Sequence, residues 1–216
     1  MSDSEPDYDE CNKDFLNFCK TGELDKITPL LSFNINIMEG MLISSMNNHV
    51  EILNYLQKTF KLDIYEYDEF NFANICHTNH IDIVGWFLDN YDISESIFDQ
   101  AFHECAIDGH LEIGKMLLYY YLEQYDKWLH IAYNILPDAC ANNHTDFVEW
   151  LLTFKIKVRD FDEVSFTNAC LNNNIIMVKM LLEKDPLIDI HVNNDAVFKI
   201  CDKRKYSDLL NLLQIY

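Results

Sequence analysis

The sequence predicts an all-α chain of about seven helix-turn-helix units, and three observations carry that prediction. A short motif recurs along the chain at intervals of about thirty residues. Within each copy the apolar residues fall at helical spacing. Glycine and proline, which a multi-stranded β fold needs at its turns, number only five and four in 216 residues. With 49% hydrophobic and 13% aromatic residues the chain has material for a core and is far too apolar to be disordered throughout.

The clearest copies begin at Asn48-His49-Val50-Glu51-Ile52-Leu53, Asn79-His80-Ile81-Asp82-Ile83-Val84, Gly109-His110-Leu111-Glu112-Ile113 and Asn143-His144-Thr145-Asp146-Phe147-Val148. A weaker copy begins at Asn173-Asn174-Ile175-Ile176-Met177-Val178. With the histidine as anchor, the equivalent positions are Glu23, His49, His80, His110, His144, Asn174 and Lys205, spaced 26, 31, 30, 34, 30 and 31 residues apart. Apolar residues at anchor offsets +1, +3, +4, +7 and +8 predict a second helix buried along one broad face. A helical stretch before each anchor, such as Phe72 to His77 or Phe102 to Ile107, supplies the first helix. Four residues before the anchors stand Cys19, Ser45, Cys76, Ala106, Cys140, Cys170 and Cys201, all small, as a position closely approached by a neighbouring helix requires. Tyr119 to Tyr125 extends the second helix of the longest unit, and Pro137 is expected to open the next first helix, where its missing N–H costs nothing. Trp86 and Trp150 share one offset in second helices and are expected to pack between units.

A unit of this size cannot bury both faces of its helix pair, so stacking must supply the core. The pattern small-x-x-Gly/Asn-His-apolar-acidic-apolar-Val-x-x-Leu-Leu resembles the ankyrin repeat over roughly residues 12 to 216, and Phe102-His103 resembles the Leu-His of the family's Thr-Pro-Leu-His signature. The Thr-Pro pair itself and the usual glycine after the second helix are missing. The Asn, Ile, Tyr and Phe richness is similar to that of ankyrin-repeat proteins from giant amoeba viruses of the mimivirus type. The resemblance implies a helical-repeat solenoid with protruding turn or hairpin loops, degenerate capping repeats at both ends, and binding of another protein. Residues 1–11, with five acidic side chains, are set apart as a disordered acidic tail, and 12–216 form the repeat domain.

Sixteen Lys and Arg against thirty-six Asp and Glu leave a net charge of −20, which repels nucleic-acid backbones and anionic membranes. From Leu62 to Gly114 there is no basic residue and the segment carries twelve acids, whereas from Thr153 to Lys205 nine basic residues meet eight acidic ones. The resemblance places the binding surface on repeat loops and first-helix ends. Carried over position by position, that surface comprises Glu66, Tyr67, Glu69, His77 and Thr78, then Asp99 and Asp108, then Tyr133 and Asn142, and finally Asp160, Phe161 and Glu163. Carboxylates mixed with Tyr and Phe suit a basic partner protein. Two alternatives are a substrate-recruiting adaptor of a host ubiquitin ligase and a self-assembling structural component.

Seven scattered cysteines without a Cys-x-x-Cys pair, no apolar run of membrane-spanning length and an acidic amino terminus predict a chain of the cytoplasm, the host's if the chain is viral, and the solenoid reading takes it as a monomer. Cys76, His77 and His80 are the tightest potential metal ligands, but no second close pair completes a tetrahedral set. Phosphate loops and zinc-protease or serine-hydrolase motifs are absent. Neither a catalytic residue nor a cofactor or metal site is expected.

Overall fold

A computed structural model describes residues 8–62, 72–124, 129–154, 156, 158–159 and 163–216, and among them it is helical without a strand. The chain divides after Asp92 into two compact units. No helix of the described residues is long and apolar enough to cross a membrane.

The first unit contains α1 (Tyr8–Thr21), α2 (Leu24–Ile27) with a following 3₁₀ turn (Thr28–Ser32), α3 (Ile37–Met46), α4 (Val50–Phe60), α5 (Phe72–His77) and α6 (Ile81–Asn90). Helix α1 therefore starts inside the stretch 1–11 that composition sets apart. Helix α1 packs on α3, α3 on α4, α4 on α6 and α5 on α6. The α1–α3 approach depends on Gly40, where any Cβ would collide with the Phe15 ring. Trp86 lies in the core and its indole N–H donates to Asn54 Oδ1 at 2.9 Å, joining α6 to α4.

The second unit contains α7 (Glu95–Asp108), α8 (Leu111–Gln124), α9 (Leu129–Ala141), α10 (Thr145–Leu152), α11 (Val164–Leu171), α12 (Ile175–Lys184), α13 (Val192–Arg204) and α14 (Ser207–Leu213). First helices form one row, α7 on α9 on α11 on α13, while α10, α12 and α14 touch in sequence as a second row. Helix α8 runs on because Tyr121 is wholly buried against Phe98 and Phe102 and its hydroxyl donates to Glu95 Oε1 at 2.9 Å. Pro137 does not open a helix. It lies inside α9, where it removes one intrahelical donor, and its carbonyl accepts from Asn168 Nδ2 at 3.2 Å on α11. Within α13 the residues Asn193, Asn194 and Asp195 are left-handed, with φ of 54°, 56° and 59°.

One backbone device repeats in both units. The residue before the anchor has positive φ: Gly22, Asn48, Asn79, Gly109, Asn143 and Asn173 all do. Only glycine tolerates that conformation freely and asparagine comes next, which accounts for the alternation of these two types. The anchor then turns back, its N–H reaching the carbonyl five residues earlier, as in His49 to Ser44 and His144 to Ala139. In the last repeat the left-handed residue is Lys205 and the equivalent bond runs from Tyr206 N–H to Cys201. The last anchor is therefore Tyr206, one residue beyond the expected Lys205, and Cys201 belongs one place earlier in the pattern. The residue truly four before that anchor is Asp202, exposed where Ala106, Cys140 and Cys170 are buried.

Candidate functional site

The anchors are junction residues. His49 Nε2 lies 2.9 Å from the carbonyl of Lys20, and His144 Nε2 lies 2.7 Å from that of Ile107. Both carbonyls stand three residues before the preceding anchor, at a helix end where backbone acceptors lack intrahelical partners. Later junctions satisfy the equivalent carbonyls otherwise. Asn172 Nδ2 donates to Ala141 at 2.8 Å, and Arg204 Nη1 donates to Leu171 at 2.9 Å. Asn174 caps its own helix, accepting from Met177 N–H at 3.0 Å, while its Nδ2 reaches Asn143 Oδ1 at 2.8 Å.

Fixed in this way, the first helices α7, α9 and α11 leave an open groove of about 350 Å³ lined by His103, Tyr133, Asn134, Pro137, Asp138 and Val164. His103 Nδ1 lies 2.8 Å from Asp138 Oδ2, so one polar pair bridges α7 and α9 beside it. Asn134 and Val164 are exposed at its rim. An apolar patch beside a carboxylate and an amide can seat an aliphatic or aromatic side chain and hold a donor next to it.

Of the described residues expected at the binding surface, Tyr133 alone lines this groove. It lies within α9, and Asp99 lies one turn inside α7; neither is on a loop, because both helices begin earlier than the repeat pattern implies. Asn142, exposed one residue past α9, donates from Nδ2 to Asp138 O at 3.0 Å. Asp108 ends α7, with His110 Nε2 3.9 Å from its carboxylate. Glu163 is left-handed before α11, and its Oε1 accepts from Asp189 N–H at 3.4 Å, so this carboxylate binds the next connection. In the first unit His77 is exposed at the end of α5, while Thr78 Oγ1 donates to Ile75 O at 2.7 Å. Glu66, Tyr67, Glu69, Asp160 and Phe161 lie outside the described residues. The groove partners His103, Asn134, Pro137, Asp138 and Val164 were missed. The signal that finds Asp138 is polarity six residues before the anchor, in Asn74, Glu104, Asp138 and Asn168, repeated four residues later in Thr78, Asp108, Asn142 and Asn172; the other four fall outside it.

The thiols are packing residues. Burial pushes Cys19 up to about 11 and Cys140 up to about 12, and it raises Cys170 and Cys201 as well, so these groups are weak nucleophiles at neutral pH. Cys76 is buried inside α5, whereas His80 follows a left-handed turn beyond that helix, so the two do not share a helix face as their spacing suggests. His103 is half-exposed and turned to Asp138, while Cys105, two residues on, is wholly buried. No protein-family model matches this chain, and no curated protein matches it.

Proposed function

We propose that this chain is a non-enzymatic scaffold of ankyrin-like helical repeats stacked as a solenoid, acting as a monomer in the cytoplasm and binding a basic partner protein through its first-helix face. The observation that carries this reading is the groove across α7, α9 and α11, held open by bonds between successive repeats and combining Tyr133 and Val164 with the Asp138 carboxylate. The resemblance to ankyrin repeats and the net charge of −20 support it in the same direction.

The test is affinity capture from a cell lysate at low and high salt, comparing wild type with Asn134→Arg, an exposed position where the larger cation blocks the groove and repels basic groups. Circular dichroism checks that both are folded. Proteins retained by wild type at low salt, lost at high salt and lost with Asn134→Arg are the expected outcome. Equal retention by both proteins at both salt concentrations sinks the proposal.

A further inference from the structure

The charged side chains of this face are sorted by repeat. Helix α7 contributes Glu104 and Asp108, and α9 contributes Asp138. At the equivalent places α11 carries the uncharged Asn168 and Asn172, whose amides are turned to carbonyls of the preceding repeat. Counted from its anchor Tyr206, α13 carries Ile200 and Arg204 at those places, with the exposed Lys199 and Lys203 each one residue earlier; the Arg204 guanidinium is held against the end of α11 by its bond to Leu171, and Lys199 Nζ donates to Asn194 O. The same helix carries two exposed acids, Asp195, which pairs with His191 at 2.6 Å, and Asp202 beside Lys203, so its three cations outnumber its acids by one. Within one row of packed helices the surface thus passes from anionic through amide to cationic.

Neighbouring helices pack about 10 Å apart, so α7 to α13 spans about 30 Å. An extended chain covers that distance in about nine residues. A uniformly basic ligand would be repelled at α13, and a nucleic-acid backbone would be repelled at α7 and α9. Resting on the scaffold reading above, we infer that the face takes an extended peptide segment with sorted charges. A Lys or Arg block lies over Glu104, Asp108 and Asp138, an apolar residue sits in the groove beside Tyr133 and Val164, and an Asp or Glu block lies over Lys199, Lys203 and Arg204.

The experiment uses fluorescein-labelled synthetic peptides of equal length, read by fluorescence anisotropy at low salt. One carries lysines, a central leucine and tyrosine, then glutamates; the controls replace both blocks by lysines or both by glutamates. The sorted peptide is expected to bind the full chain about tenfold more tightly than either control, as two or three added exposed ion pairs would give. Glu104→Lys with Asp138→Lys weakens it, and so does Lys199→Glu with Lys203→Glu. The chain carrying all four reversals recovers binding, because a peptide can turn end for end, and this recovery is not expected from mere damage to the fold. Equal affinity for the lysine control, insensitivity to the Lys199 and Lys203 reversals, or no binding of any peptide overturns the inference. If groove-dependent capture from lysate persists in those cases, the scaffold reading stands and only the sorted partner is wrong; if capture is lost too, both fall.

Discussion

Two kinds of junction close the same gap with different chemistry. At His49 and His144 the anchor imidazole reaches back to a helix-end carbonyl of the preceding repeat. At the two junctions nearest the carboxy terminus the carbonyls of Ala141 and Leu171 accept instead from Asn172 and Arg204, two residues before their anchors. The difference follows one upstream residue. Gly22 and Gly109 precede the two histidine junctions, and a Cβ at either would run into the imidazole of His49 or His144. Asn143 and Asn173 stand in that place before the other two junctions. Asn48 stands in that place before His80, whose Nδ1 is buried without a partner. The requirement is a donor for the carbonyl; the residue that supplies it depends on whether glycine leaves room for a ring.

The largest expected effect lies on the carboxy-terminal side. Arg159 Nη1 is 2.9 Å from Asp185 Oδ1, and Asp185 is nearly buried. Arg159→Met leaves that carboxylate with backbone donors only and is expected to cost about 3 kcal/mol in urea unfolding. A loss below 1 kcal/mol would remove the ion pair as a distinguishing feature of this region. Next comes His144→Ala, expected to cost about 2 kcal/mol because it strips the Ile107 carbonyl of its donor and empties the space over Gly109. Asn172→Ala, on an exposed side chain, is expected to cost about 1 kcal/mol; equal losses would erase the contrast between junctions.

Alkaline pH acts on both kinds of junction and serves as their common control. The folded state holds Cys19 and Cys140 protonated above their ordinary value of 9.0, so this stabilisation is complete below pH 9 and is lost as pH rises toward 11 and 12. Unfolding free energies from urea titrations between pH 8 and 10 should fall by roughly 1 kcal/mol for each of Cys19 and Cys140, and Cys140→Ala should flatten the slope. A pH-independent midpoint over that range would contradict the burial argument. Gly109→Asn keeps a residue that accepts the left-handed conformation, so its expected loss of about 1 kcal/mol reports displacement of His144 and should nearly vanish in a His144→Ala background. The smallest effect is a gain: Asn48→Gly should stabilise by roughly 0.5 kcal/mol by freeing the backbone and making room for His80.

Much of this was legible in the sequence. The helix pairs follow from offsets +1, +3, +4, +7 and +8, and buried small residues such as Cys19, Ala106 and Cys140 stand where close helix approach predicts them. Pro137 misled, because its placement at a first turn is a local rule and the core contacts of α9, with Ile131, Ala132 and Leu136 buried ahead of it, override that rule. The shift from Lys205 to Tyr206 was hidden because a left-handed lysine looks like any surface lysine. The groove was visible at one residue: polarity recurs at the place of Asp138, but its pairing with His103 crosses 35 residues and belongs to helix packing.

The dependence of each junction on the residue before the preceding anchor has a consequence for how such a chain can grow or shrink. Duplicating or deleting a repeat changes which neighbours meet, and a histidine-anchored copy inserted after an asparagine would inherit a junction it cannot close. The heritable module is therefore not the helix pair but a segment offset from it, carrying a left-handed residue together with the anchor that follows in the next repeat. In this chain that linkage holds for Gly22 with His49 and for Gly109 with His144.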